Sequence, residues 1–471
     1  MNWKVVSLWF SLLCFPLPVY SVTYEVGPAK TYANIGDVPW EGMNAGDQVL
    51  IFWRQEPYKE KWVIAVQGTE QQPFTVRGVA NEKGQLPVID GRDATTRSSI
   101  NFWNEERGVI KIGGANKPAV EEPSWIVLEN LDILSGRTPY QFTGRSGVSS
   151  YSDNAASAYV ENGRNVTIRN CILHDSGSGL FVSHATRNIL IEGCWIYDNG
   201  IENSIYQHNT YTAAIGIVYQ FNTLGPLRTN CPGNNLKDRS AGLVVRYNWI
   251  ESGNRQLDLV DAEDNMDLVN DPGYRKTFVS GNVLIEPDGA GNNQIVHYGG
   301  DSGDESIYRK GTLHFNNNTV VSTRTSNTTL LRLSTNEETC DCRNNIVWTT
   351  ATGSHLALVN EAGVVHLKNN WLKSGWVTSH DGVAGIIYND GANITGGSPG
   401  FVDTGTQNYH LDRRSPGINA GASLHPDAYP VAYQYVKHGK SETRPADGKL
   451  DLGAFELPKS RALPSIWLLL Q

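Results

Sequence analysis

The sequence predicts an all-β chain wound as a parallel β-helix, a solenoid whose coils pack only on their neighbours. Three observations carry that expectation. First, one phrase recurs from Asn165 onward: NVTIRNCIL, NILIEGCWI, GLVVRYNWI, KTFVSGNVL, TLHFNNNTV, CDCRNNIV and VVHLKNNWL. Its alternation of apolar and polar residues is that of strands, and the Gly, Asn and Ser between runs mark tight turns. Second, alignment of these phrases places Cys171, Cys194, Asn248, Asn282, Asn318, Asn345 and Asn370 in one column, with Asn222 fitting between the second and third. Stacked amides at a tight turn can hydrogen-bond to the backbone and to each other. Third, the column spacing varies from 23 to 36 residues while the phrase stays fixed, as expected for coils with loops of different length inserted at the turns. A sandwich or propeller would instead need hairpin turns between consecutive strands.

The chain of 471 residues is therefore read as one long domain over 22–456, between a leader at 1–21 and a tail at 457–471. Met1 to Ser21 has a polar start with Lys4, an apolar run from Val5 to Val19 broken by Pro16 and Pro18, and small residues before the cleavage point. That is a secretory signal. The apolar run is shorter than the ~20 residues that span a bilayer, so no transmembrane segment is expected. Lys+Arg 39 against Asp+Glu 48 leaves no electrostatic footprint for nucleic acid. An anionic partner must be held locally, and a monomer is expected. Cys14 departs with the leader, leaving five cysteines. Cys171 and Cys194, one coil apart, can form either a disulfide or two stacked buried thiols.

Leu180 with Val182 and Leu257 with Leu259 precede the column and are expected to point inward, since parallel strands are covered on their faces. Nearer the N-terminus, NAGDQVLIF, GTEQQPFTVRG and LPVIDG occur in order, and SPGINAG and DLGAFE close the chain. This set resembles the opening and closing coils of secreted right-handed parallel β-helix proteins of the polysaccharide lyase superfamily. The resemblance implies a right-handed helix and extended polysaccharide bound along the groove over the first sheet.

The stretch 233–264 concentrates the chemistry. Lys237, Arg239 and Asp258 fall on alternate positions of its runs and should point outward on one face. His208 and Tyr211 should lie one coil before Lys237, and His297 and Tyr298 one coil after Asp258, with Arg255 and Arg332 lining the same groove as substrate-binding residues. KDRSAGLVVRYN resembles a phrase of the alginate lyase and chondroitinase B group, in which a lysine acts as base; Lys237 or Arg239 matches it, depending on whether two extra residues are counted. That group carries an Arg-His pair on the next coil, whereas Leu259, Val260 and Asp261 stand here. Asp261, Glu263 and Asp264 in one loop and Asp301 and Asp304 in another should be neighbours on adjacent coils. Such hard oxygens suit Ca²⁺, which takes 6–8 of them at about 2.3–2.6 Å.

A uronate lyase neutralises the carboxylate next to a poorly acidic proton and supplies a base for that proton. The expectation is thus a lyase acting on an acidic polysaccharide, with Lys237 as base, Arg239 holding the carboxylate and Asp258 fixing the geometry. Tyr211 or His208 would pass a proton to the leaving oxygen. The alternatives are a glycoside hydrolase using Asp258 with Asp238 or Asp261, and a carbohydrate-binding protein without catalysis.

Overall fold

The computed structural model describes residues 21–263, 265–446 and 448–458. The leader, Cys14, Asp264 and the final apolar run lie outside the described residues. Each coil contributes three short strands to three faces, seen in the coil that holds Lys237. Leu236–Asp238 lies on the first face, Ala241–Arg246 on the second and Trp249–Glu251 on the third. The next coil returns in parallel to each, pairing Lys237 with Asp258, Val245 with Val279 and Ile250 with Leu284. The same pattern runs from Val88–Asp90 to Ile394–Gly396 on the third face. The molecule is a parallel β-helix, as the repeat predicted. Antiparallel pairing is confined to short ribbons such as Gln141–Gly144 with Gly147–Ser150. Inward positions stack aliphatic side chains from coil to coil: Leu180, Leu236, Leu257, Val296 and Leu331 are all buried. Among the described residues no helix is long and apolar enough to cross a membrane.

The turn between the second and third faces explains the asparagine column. The residue just before the column takes a left-handed conformation in every coil, at Asn170, Gly193, Phe221, Tyr247, Gly281, Asn317, Asn344 and Asn369. Asn and Gly tolerate that region best, which accounts for the Asn-Asn and Gly-Asn pairs. The column residue then repairs the break that the turn makes in the ladder. Asn282 Oδ1 accepts from Asn248 N at 2.9 Å and from Asn248 Nδ2 at 3.0 Å, and Asn282 Nδ2 donates to Val245 O at 2.9 Å. The chain of amides runs from Asn222 to Asn370 and one coil further, to Asn393. Cys171 and Cys194 head it as free thiols, each donating to backbone carbonyls as the amides do. The disulfide alternative is not realised. Asn282→Ala removes the acceptor of the Asn248 backbone amide and a donor to the Val245 carbonyl, both buried. At about 1–3 kcal/mol each, the variant is expected to lose at least about 2 kcal/mol in urea unfolding, with an unchanged denaturant slope.

The ending differs from expectation. Ser415–Gly421 and Asp451–Glu456, expected as the last coils, do not continue the winding. After Gly396 the chain doubles back along the outside, forming ribbons Phe401–Asp403 with Asn408–Leu411 and Tyr433–Val436 with Lys440–Thr443. Tyr409, Tyr435, Ala454 and Phe455 of this strap pack on Trp249, Val283, Ile285 and Val321 of the third face. Those outward positions are apolar because the strap covers them.

Candidate active site

Register on the first face sets one outward residue of each coil directly over the next. The column reads Lys111, Tyr159, Phe181, Tyr211, Lys237, Asp258, His297, Arg332 and Asn360. Neighbouring strands lie about 4.8 Å apart, so these side chains touch their neighbours. The order expected from sequence for Tyr211, Lys237, Asp258, His297 and Arg332 is the order found. Tyr298 is a correction: it follows His297 directly, so strand alternation turns it inward, where it is fully buried and cannot reach a substrate. Asp238 is inward for the same reason and cannot serve a hydrolase in the groove.

The column divides into two halves. Tyr159, Phe181 and Tyr211 form an aromatic shelf, with ring centroids 5.2 Å and 5.1 Å apart. The Arg107 guanidinium lies over Tyr159 and Phe181, 5.1 Å and 4.7 Å from their centroids. Among the described residues no carboxylate pairs with it, and its Nε has no hydrogen-bond partner. Sequence reasoning missed Arg107, which ends a short 3₁₀ turn, Glu105–Arg107, in a coil before the repeating phrase begins.

Beyond the shelf lies a dense ionic cluster. Asp258, 2 % exposed, accepts from Asn234 Nδ2 at 2.7 Å, Lys237 Nζ at 3.1 Å and His297 Nδ1 at 2.9 Å, with Arg255 Nη1 at 3.7 Å. Burial would raise its carboxyl, but the His297 hydrogen bond and the Lys237 charge outweigh burial and hold it far below the usual carboxylate range. Lys237 also pairs with Asp301. Burial by itself would lower the Lys237 amine, yet Asp258 and Asp301 more than compensate, so its net shift is upward. Lys237 is therefore held as a cation, the form that cannot take up a proton. Arg239 donates from Nε to Tyr211 Oη at 2.9 Å and pairs with Glu263 at 2.7 Å and Asp301 at 3.1 Å. His208 Nδ1 accepts the Asn234 amide at 2.9 Å, and burial drives its pKa down to about 3. It is neutral at ordinary pH, with its proton on Nε2. Arg332, at the far end, pairs with Glu361 at 2.9 Å.

The two acidic loops do meet: the Asp301 amide donates to Asp261 Oδ1 at 2.7 Å. Their acids do not form a calcium cage. Asp301 and Glu263 are taken by Lys237 and Arg239, and Asp304 caps the exposed 3₁₀ turn Glu305–Ile307. Among the described residues of these loops only Asp261 Oδ2 is buried without a partner, so the described acids do not fit Ca²⁺. Behind the loops sits Arg309, fully buried. It donates to Val260 O, Ser240 O and Asp238 O at 2.9, 2.8 and 3.1 Å, and to Asp238 Oδ1 at 3.3 Å. A second amide chain, Asn199 to Asn209 to Asn235, fixes the turn that presents His208 and Asn234.

Shelf and cluster line one continuous depression. A cleft of about 510 Å³ over the shelf and one of about 900 Å³ over the cluster share Arg107, Phe181, Tyr211 and Arg239. Sequence comparison finds neither a matching protein-family model nor a matching curated protein. Solved structures similar to this chain include pectate lyase Pel9A, at 13 % identity over 93 % of this chain and 97 % of that one, with a TM-score of 0.47. Others are an alginate lyase from Paenibacillus sp. str. FPU-7, at 10 % identity over 68 % and 94 % with a TM-score of 0.46, and a GH136 lacto-N-biosidase from Eubacterium ramulus, at 13 % identity over 79 % and 67 % with a TM-score of 0.47.

Proposed function

We propose that this chain is a secreted, polysaccharide-active protein that cleaves a uronate-containing chain by β-elimination. The observation that carries the reading is Arg107, a groove cation with no carboxylate partner, set over an aromatic shelf beside Tyr211. Half-buried Phe181 and Tyr211 offer apolar contact to sugar rings, and a guanidinium without a carboxylate partner suits a sugar carboxylate. Tyr211 then takes the base role that the sequence suggested for Lys237. Its oxygen accepts from Arg239 Nε, so its own proton is free to be donated and a positive charge lies beside it when that proton is gone. In the elimination, Tyr211, having first given its phenol proton to solvent beside the Arg239 charge, takes as phenolate the proton next to the substrate carboxylate. The C–H electron pair forms the new double bond, the glycosidic C–O bond breaks, and the departing oxygen takes up the proton that Tyr211 has just received. Neutral His208, which lines the cleft with Nε2–H, hydrogen-bonds that oxygen and keeps its proton. No step passes through a metal ion.

The hydrolase alternative needs a carboxylic acid kept protonated, whereas Asp258 and Asp301 are both held below the usual range. The test is one assay over alginate, pectate and glycosaminoglycans. A lyase creates an unsaturated uronate that absorbs in the ultraviolet, a hydrolase creates reducing ends alone, and a binding protein creates neither. Arg107→Ala is expected to raise KM for the acidic sugar about tenfold or more, since a charge-assisted hydrogen bond contributes about 1.5–3 kcal/mol. An unchanged KM would remove the anion-binding role.

A further inference from the structure

On the second face, away from the groove, register builds another outward column: Phe278, His314, Asp341, His366 and Tyr388. The strap passes over it and brings His425 and Asp427 down onto His314. One ligand atom from each of His314, His425 and Asp427 lies within 4.8 Å of the other two. We propose that these three residues bind one divalent transition-metal ion of the zinc type, which clasps the strap to the coils.

Donor chemistry, burial and support all point this way. Two imidazoles and one carboxylate are the ligands that Zn²⁺ and its neighbours prefer, with water in the fourth position of a tetrahedron. His314 is 1 % exposed, and its Nδ1 has no hydrogen-bond partner. That nitrogen instead faces Asp341 Oδ2 at 3.6 Å, an oxygen that is also buried without a partner. A metal-bound histidine characteristically turns its other N–H to a carboxylate, which fixes the tautomer and raises the basicity of the ligating nitrogen. With Nδ1 turned to Asp341, Nε2 of His314 is left for the metal. Asp341 is itself oriented by Arg343, whose Nε donates to its Oδ1 at 2.9 Å. Phe278 stacks on His314, with centroids 5.0 Å apart at 9°, and fixes the ring plane.

The strap side is looser. His425 is half-buried and Asp427 exposed. Asp427 Oδ2 accepts from Lys276 Nζ at 2.9 Å, leaving Oδ1 as the ligand oxygen. His425 Nδ1 accepts the Asp427 amide at 3.1 Å. Metal binding through His425 gives up that one local bond. The surrounding cleft, about 570 Å³, is also lined by His366 and Asp390, which pair with each other at 2.8 Å and stand outside the proposed set.

The experiment uses the untagged full-length chain after chelator treatment, titrated with Zn²⁺ by calorimetry and with Co²⁺ by visible absorption. The expected result is saturable 1:1 binding, a rise in melting temperature with metal, and the d–d bands of a tetrahedral Co²⁺ site. His425→Ala and Asp427→Asn should each weaken binding tenfold or more, and Asp427→Asn, at an exposed position, should leave the metal-free melting temperature unchanged. No saturable binding by the parent chain, or 1:1 binding that survives His425→Ala, overturns the proposal. Neither outcome bears on the groove, whose assay contains none of these residues.

Discussion

Tyr211→Phe is expected to lower double-bond-forming turnover by about 10²–10⁴-fold, the usual contribution of a positioned acid or base. The substitution removes one oxygen and leaves the ring, so packing on Phe181 and the 5.7 Å stack on His208 persist. Arg239 loses one hydrogen bond but keeps Glu263 and Asp301. Sugar binding and the unfolding midpoint should therefore stay close to the parent's, and the loss should fall on kcat. Lys237→Ala makes the contrast. It strips the cation from between Asp258 and Asp301, so its main effect should be on stability, because two partly buried carboxylates are left facing each other. If Tyr211→Phe retains more than about a tenth of the turnover, the tyrosine is only a groove wall and its assignment as base is wrong.

Arg309→Met is expected to destabilise the fold by about 3–5 kcal/mol, the cost of leaving one partner of a buried ion pair alone. The methionine fills much of the volume but satisfies none of the three carbonyls, and Asp238 loses the cation that opposes its burial. Domains of ordinary stability hold about 5–15 kcal/mol in total, so the loss should be plain in a urea midpoint. It should also reach the site. Arg309 anchors the 299–311 loop to the Leu236–Asp238 strand, and that loop carries Asp301 onto Lys237 and Arg239. A shift of under about 1 kcal/mol at unchanged slope would mean that the loop is held by other contacts.

The groove column was legible in the sequence because two regularities fix it together. Alternation decides the face, and one-coil spacing decides the neighbour, so Lys237, Asp258, His297 and Arg332 could be stacked before any coordinates. The same alternation places Tyr298 inward; grouping it with His297 by chain proximity ignored that rule. Arg107 was not legible, because the coils before Asn165 lack the repeating phrase and their loop lengths conceal the register. The acidic loops were correctly made neighbours, but their charge count suggested a cation from solution when Lys237 and Arg239 already supply it. The amide chain through Asn199, Asn209 and Asn235 escaped because only its second step, 26 residues, is one coil, while the first, 10 residues, joins two different positions of the winding. The doubling back of the strap escaped because its phrases resemble those of a coil in everything but direction.

That strap changes how the molecule must come together. A plain solenoid can accumulate order one repeat at a time, each unit answering only to the next. Here Tyr435 reaches Thr223 at 2.5 Å, Ala432 reaches Tyr247 at 2.9 Å, and Ala422 and Gly453 both reach Asn344, at 2.7 Å and 2.8 Å. Residues made after the coils during synthesis thus bind coils made long before, and the apolar stripe around Trp249 stays wet until they arrive. The strap ties coils that would otherwise answer only to their neighbours, so a chain stopped before it carries a sticky flank that the strap hides.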